Sequence, residues 1–178
     1  MKPIKIGNKK IGRDHECYII AEIGSNFDGS LTKAKKLIRL AKDCGADAAK
    51  FQSFKTELLL SKKGFESKSA FQSKWKKSVW NTYKEAEFPR TWHKILNDYA
   101  KKIDIDFFTS PWDFEAVDLL CKLNVPAIKI GSGDITYLDF LEYVGKTKKP
   151  ILLATGASNM KEVEMAVKTI KSTGNNKI

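Results

Sequence analysis

The stretch Tyr18-Ile19-Ile20-Ala21-Glu22-Ile23-Gly24-Ser25-Asn26-Phe27-Asp28-Gly29 decides how the rest of the 178-residue sequence is read. An apolar run encloses one carboxylate, Glu22, and gives way to small and polar residues before a helical pattern opens at Leu31. The pattern predicts a buried strand that carries a charged group toward its C-terminal end. A carboxylate in apolar surroundings is costly unless paired or hydrogen-bonded, so Glu22 is expected either to meet a cation or to take part in chemistry.

The same grammar recurs outward from that strand. Ser30 is a predicted N-cap, and Leu31, Ala34, Ile38 and Ala41 keep helical spacing until Gly45 ends the helix. Residues 46–51 read as a second short strand, with Lys50 and Gln52 two apart and therefore on one face. Pro89 fits the first turn of a helix striped by Trp92, Leu96, Tyr99 and Ile103. A strand over residues 107–111 follows, then a helix capped by Asp113 that carries Val117 and Leu120. A fourth strand covers residues 127–131 and leads into Ser132-Gly133-Asp134. A shorter helix near residues 138–144 precedes a fifth strand at residues 150–156. An Asn159-x-x-Glu162 capping pattern opens the last helix, with Met160, Val163, Val167 and Ile170 on one face until Gly174. Residues 175–178 read as the entrance to another strand.

Two segments stand outside the alternation. Residues 2–11 form a hairpin pattern around Gly7-Asn8-Lys9-Lys10, and a lone hairpin has little stability in water unless it caps something. Residues 55–88, with Phe65, Phe71, Trp75, Trp80 and Tyr83, make an excursion longer than a strand-to-helix loop requires, which points to binding surface or oligomer contacts.

Strand–helix alternation with strands too apolar for a wet face argues for a parallel α/β sheet, either open and doubly wound or closed into a barrel. No GxGxxG or GxxxxGK[ST] follows a strand, which counts against the nucleotide-binding open sheets. Polar residues stand at every strand's C-terminal end: Glu22, then Lys50 and Gln52, Thr109 and Ser110, Lys129 and Ser132, and Thr155. A barrel gathers such ends on one rim, where its active site is built. Lys50 and Lys129 at those ends each need a counter-ion or a solvent channel, and a phosphate or carboxylate anion is the economical partner. The alternative is simple pairing with Glu22 or Asp134. Ser110, and Ser132 between two glycines, would add hydroxyl donors to an anion site, although turns use the same residues.

Composition sets the bounds. An apolar fraction of 42% supports one domain's core. The net charge of +11 would suit an acidic partner, but Lys35-Lys36, Lys62-Lys63, Lys76-Lys77, Lys101-Lys102 and Lys148-Lys149 are scattered pairs, so no nucleic-acid partner is expected. Cys17, Cys44 and Cys121 form no CxxC and suggest neither a disulfide framework nor a zinc site, which fits reduced thiols and a cytoplasmic location. Neither an apolar run of the roughly 20 residues that span a bilayer nor a signal-peptide core is present, so no membrane partner is expected. His15 and His93 lie outside the strand-end series. No metal site within the chain is therefore expected, and His93 beside Trp92 reads as a helix-surface residue.

Ile20-Ala21-Glu22-Ile23-Gly24-Ser25-Asn26 with Asp28-Gly29, Gly45-Ala46-Asp47-Ala48 with Lys50-Phe51-Gln52, Thr109-Ser110-Pro111, Ile128-Lys129-Ile130-Gly131-Ser132-Gly133 and Ala154-Thr155-Gly156 together resemble the N-acetylneuraminate (sialic acid) synthase family, in order and spacing, from about Ile4 to the last residue. The resemblance implies a (β/α)8 TIM-barrel type fold with about the first five β/α units present. Residues 1–17 would be an N-terminal hairpin or cap and residues 18–178 a partial barrel. The family's later strands and small antifreeze-like C-terminal domain would be absent, which makes the chain a truncated N-terminal part, inactive alone.

The implied activity is that of a transferase condensing phosphoenolpyruvate with an N-acylhexosamine, N-acetylmannosamine or its 6-phosphate, to a nine-carbon 2-keto sugar acid and phosphate. The alternatives are a pseudaminic or legionaminic acid synthase-type enzyme, or a non-catalytic anion-binding remnant. The family also implies a homodimer in the full-length form and a divalent cation, Mn or Mg, that polarises the sugar aldehyde, with its histidine ligands outside this chain. By matching position, Glu22 resembles the catalytic carboxylate, Lys50, Ser110, Lys129 and Ser132 resemble the phosphoenolpyruvate clamp, and Gln52 and Asp134 would face the sugar. Phe27 stands where the family often has histidine, which would alter a substrate contact. Asp134 stands where glutamate is common, which shortens the reach of that acid.

Overall fold

Ser30 accepts a hydrogen bond from the Lys33 N–H at 3.2 Å, and from that cap α1 runs Leu31–Asp43 with Ala34, Ile38 and Ala41 buried. Cys44 caps its end and Gly45 turns the chain at φ +83° into the next strand. These local signals act as the sequence predicts, and they set the spacing of everything that follows. The computed structural model describes residues 3–65 and 74–178. Lys2 of the expected hairpin and Phe71 of the excursion lie outside the described residues.

The elements run β1 (Ile4–Ile6), β2 (Lys9–Ile11), β3 (Ile20–Gly24), α1, β4 (Ala48–Ser53), α2 (Thr56–Leu59), α3 (Lys62–Phe65), α4 (Val79–Ala86) and α5 (Trp92–Lys102). They continue with β5 (Asp106–Pro111), α6 (Phe114–Lys122), β6 (Ile128–Ile130), a 3-10 turn (Ser132–Asp134), α7 (Leu138–Lys146), β7 (Ile151–Leu153) and α8 (Met160–Ser172). β3, β4 and β5 form a parallel sheet in that order, and β6 pairs in parallel with β7. The fold is therefore α/β with parallel sheets.

The five main strands do not share one uninterrupted ladder. β5 and β6 pack side by side but are not hydrogen-bonded as neighbours among the described residues. Pro126, just ahead of the three-residue β6, has no N–H to give to a ladder. Beyond α8 the chain returns alongside β7, where the Ile151 N–H donates to the Lys177 carbonyl at 2.8 Å, as an entering strand would require.

Alternation along each strand sorts the two faces. Ala49 and Phe51 of β4, Phe107 of β5 and Ile23 of β3 pack under the helices with Ile38, Leu96 and Leu120. Ile128, Ile130 and Ile151 do the same against Val117, Phe140, Leu141, Val144, Ala166 and Ile170. Phe27 is fully buried in the first of these clusters, with its ring against Phe51, Phe88 and Trp92. The expected effect of Phe27 on a substrate contact is corrected accordingly: it fills the core behind β4. Met160 is likewise not on the buried stripe of α8. It sits 69% exposed at the first turn, and Val163, Ala166 and Ile170 carry the packing.

The hairpin caps the N-terminal ends of the strands. Lys9 pairs with Asp47 at 2.6 Å, and Gly7, at φ +54°, lies against the Asp106 carboxylate at the start of β5. Asp106 also accepts from the Tyr18 hydroxyl at 2.6 Å. A Cβ at position 7 would overlap that carboxylate and would occupy a backbone region that L side chains avoid. Gly7→Ala is therefore expected to lower stability by about 1–3 kcal/mol, read by urea unfolding. An unchanged midpoint would mean that the hairpin is not docked there.

Candidate active site at the C-terminal strand ends

The face of the strands opposite the helices carries the polar series. The register places Glu22 of β3 directly across from Lys50 of β4, and Gln52 across from Ser110 of β5. Lys50 Nζ lies 2.5 Å from Glu22 Oε2 and donates to Ser110 Oγ at 3.3 Å. Lys50 is buried, with 5% of its surface exposed, and Ser110 is nearly as enclosed at 3%. A buried ammonium needs an anion and further acceptors, and here it has one of each.

Glu22 differs from the expectation of a buried acid. Its side chain is 55% exposed, because it points into the opening between the strand ends and not into the helix layer. A bulge between Glu22 and Gly24, with Gly24 at φ +58°, tilts the end of β3 and brings Gly24 near both Glu22 Oε1 and the Gln52 amide.

Lys129 projects from β6 on the same side, opposite Leu152. Its Nζ donates to the Ile130 carbonyl at 2.5 Å and has no carboxylate partner among the described residues. Burial holds its pKa below the ordinary lysine value. The nearby Lys50 charge acts the same way, against an opposing pull from Glu22 and Asp134. Of the two lysines, Lys50 thus follows the simple-pairing alternative in part, and Lys129 feels Glu22 and Asp134 only at longer range, with no carboxylate at ion-pair distance among the described residues.

These residues line one cleft of about 500 Å³. Glu22, Lys50, Gln52, Ser110, Lys129 and Ser132 all reach its wall. Asp134 is set one layer back. It lies under Gly131 beside the Trp112 indole, and burial pushes its carboxyl up to about 6 against the opposing effects of the nearby Trp112 indole N–H, Lys129 and the Gly131 N–H. Thr109 faces the helix side with Phe107, fully buried, and takes no part in the cleft. The sequence reading did not name Phe54 and Trp112, which form an aromatic wall with Tyr83 of α4, their ring centroids 5.6 Å apart in each pairing with Phe54. Trp112 had a legible signal, since it follows Ser110-Pro111 at a strand end.

Behind the cleft lies a second polar group that the sequence did not disclose. His93, expected on a helix surface, is fully buried on α5 with Leu96, Asn97 and Ala100. Its Nδ1 lies 3.1 and 3.2 Å from the Arg90 and Pro89 carbonyls, which can only accept, so Nδ1 carries the hydrogen. Nε2 then accepts from the Ser53 hydroxyl at 2.6 Å. Arg90 donates to the same Ser53 oxygen and pairs with Asp113, whose other oxygen caps α6 through the Ala116 N–H at 2.8 Å. The group ties the end of β4 to the start of α6, immediately below Gln52 and Trp112.

Among the described residues no group of three His, Cys, Asp or Glu side chains is placed to hold a metal ion. His15 is exposed near the hairpin and His93 is occupied as above. The divalent cation implied by the resemblance would have its histidine ligands outside this chain. Among the described residues no helix is long and apolar enough to cross a membrane.

Residues 37–178 match the NeuB family model. The chain is 37% identical over 161 residues to the N-acetylneuraminate-9-phosphate synthase of Homo sapiens, covering 90% of this chain and 45% of that protein. It is 42% identical over 159 residues to the N,N'-diacetyllegionaminic acid synthase of Campylobacter jejuni, covering 88% of this chain and 47% of that one. The crystal structure of an N-acetylneuraminic acid (sialic acid) synthetase from Leptospira borgpetersenii superposes with a TM-score of 0.86 at 30% identity, over 98% of this chain and 56% of the other. The chain spans about half the length of the curated relatives it matches.

Proposed function

This chain belongs to the NeuB family, and on that premise we propose that it forms the phosphoenolpyruvate-binding part of a nonulosonic acid synthase. The whole enzyme would condense phosphoenolpyruvate with an N-acylhexosamine, N-acetylmannosamine or its 6-phosphate, to a nine-carbon 2-keto sugar acid and phosphate. Residues 18–178 would supply about the first five β/α units of a (β/α)8 barrel, and residues 1–17 its cap. The full-length form would be a cytoplasmic homodimer. A Mn or Mg ion serving the aldehyde would take its ligands from outside this chain, so the roles below belong to this chain's own side chains.

The observation that carries the reading is the convergence of Lys50, Lys129, Ser110 and Glu22 on one cleft. Phosphoenolpyruvate carries a phosphate and a carboxylate. Lys129, with no carboxylate at ion-pair distance among the described residues, offers the first electrostatic hold on such an anion, and Lys50 with the Ser110 and Ser132 hydroxyls completes a clamp. An ammonium keeps three N–H donors, so Lys50 can hold Glu22 and a ligand oxygen together. Glu22 stands on the open side, where a carboxylate can take up a proton or stabilise cationic character as water adds to the condensed intermediate. Gln52, adjacent to Glu22, would meet the sugar, with Asp134 supporting from one layer back.

Calorimetric titration tests the reading. Phosphoenolpyruvate is expected to bind one-to-one, and Lys129→Met to weaken it by about 10- to 100-fold. Phosphate release from the 178-residue chain with phosphoenolpyruvate, N-acetylmannosamine and Mn is expected to stay at background. No binding at millimolar ligand would remove the reading, and turnover would show that the chain is sufficient by itself. The presence of both N-acetylneuraminate and legionaminate synthases among the relatives keeps the choice of sugar as a second variable, decided by substrate profiling of the full-length enzyme.

A further inference from the structure

A groove of about 580 Å³ opens at the other end of the strands, between the hairpin and the starts of β5, β6 and β7. Its walls carry five lysines, Lys5, Lys101, Lys148, Lys149 and Lys177, and none has a carboxylate partner within ion-pair distance among the described residues. Elsewhere on the chain, amines such as Lys42, Lys55, Lys84, Lys94 and Lys146 do find carboxylates. Asp106 is the one carboxylate among the groove's described residues, and the Tyr18 hydroxyl already engages it.

Three of these amines are held in place. Lys149 Nζ donates to the Asn124 side-chain oxygen and to the Val125 carbonyl, both at 2.9 Å. Lys177 Nζ donates to the Lys148 carbonyl at 2.9 Å, and Lys148 Nζ to the Thr173 carbonyl. Neutral carbonyls fix the direction of each ammonium without cancelling its charge. Lys149 is also partly buried, and burial lowers its pKa against an opposing effect of Cys121, with a smaller further push from the Lys177 charge. Pre-set amines with uncompensated charge in a small-molecule-sized groove are the ingredients of an anion site.

We propose that this groove binds a small polyanion bearing a diphosphate group, at a site separate from the cleft at the opposite strand ends. A diphosphate carries more negative charge and more acceptor oxygens than a single carboxylate, and reaches across a longer span, so it can engage more of these ammonium groups at once. Occupation would supply the counter-charge that Lys149 lacks, so binding to the folded form should also raise thermal stability. The site does not depend on the synthase reading, because none of its residues lines the cleft.

The test is titration of the 178-residue chain with inorganic pyrophosphate and, in a parallel arm, a nucleoside diphosphate, each at constant ionic strength. The expected result is saturable binding with a rise in melting temperature, kept in Lys50→Met/Lys129→Met and weakened at least tenfold in Lys149→Gln/Lys177→Gln. Lys5→Gln/Lys101→Gln alters exposed side chains and should weaken binding severalfold even if the first pair unfolds the chain. Tighter binding of the nucleoside diphosphate would assign the ligand to nucleotides, and equal binding to the diphosphate alone. Absence of saturable binding, or binding lost only in the Lys50/Lys129 variant, would overturn the proposal.

Discussion

Lys50→Met is expected to weaken phosphoenolpyruvate binding by about 100-fold or more while leaving the chain folded. The loss of a desolvated charge from a bound ion pair typically costs about 2–5 kcal/mol of affinity, and Lys50 is the buried one of the cleft's two lysines. Stability should change much less. Glu22 is 55% exposed, so water can take over its solvation when its partner is lost, and methionine fills the space of the lysine stem. The same geometry makes a prediction of opposite sign. Glu22→Gln removes the carboxylate that competes with a ligand for Lys50, so phosphoenolpyruvate should bind about tenfold more tightly, although any step that needs the acid would fail. If Lys50 served only to neutralise Glu22, neither substitution would move the affinity beyond about twofold, by the same reasoning. Calorimetry on the two variants beside the parent chain reads both effects.

The second large effect concerns acid. Burial, with the neighbouring Arg90 charge, lowers the His93 pKa to about 4 from the ordinary 6.5. The unfolded chain therefore binds a proton on this histidine at a higher pH than the folded chain does. The His93 contribution to stability is complete above pH 6.5 and declines as pH falls toward 4. It then levels off, after a loss of about 3 kcal/mol. Asp134 acts in the reverse sense. Its carboxyl is raised to about 6, so the folded form takes up a proton first and gains stability as pH falls through that range. The two groups oppose one another, while carboxylates held below their ordinary range, Asp47, Glu57 and Glu115, add to the loss of stability in acid, so the parent profile does not isolate His93. The His93 effect appears in the difference between parent and His93→Gln, which should shrink by about 3 kcal/mol between pH 7 and pH 4. Urea unfolding at several pH values measures it. A difference that stays constant with pH would mean that His93 is not held neutral between Ser53 and the Pro89 and Arg90 carbonyls.

Much of this architecture was open to a reader of the sequence, because it rests on local rules. The Ser30, Asp113 and Asn159 caps, the Gly45 turn and the period-two placement of Lys50 with Gln52 are decided within a few residues. What escaped was decided by contacts across the chain. His93 looks polar and exposed in sequence, yet Ser53, 40 residues away, gives it a buried partner. The exposure of Glu22 depends on which face of β3 meets the opening, and apolar neighbours in sequence say nothing of that. Phe27 and Met160 show the same limit from opposite sides, one drawn into an aromatic cluster and the other left at an exposed helix end. Asp134 sits within three residues of the cleft-lining Gly131, and a single 3-10 turn is enough to set it back behind Trp112.

Lys50 and Lys129, from separate parallel sheets, are proposed to serve one doubly anionic ligand. Nuclear magnetic resonance of the chain with isotope-labelled lysine side chains, during titration with phosphoenolpyruvate, addresses this directly. The Lys50 and Lys129 signals are expected to shift together along one binding curve. Movement of only one of them, or of the two with different affinities, would contradict the proposal.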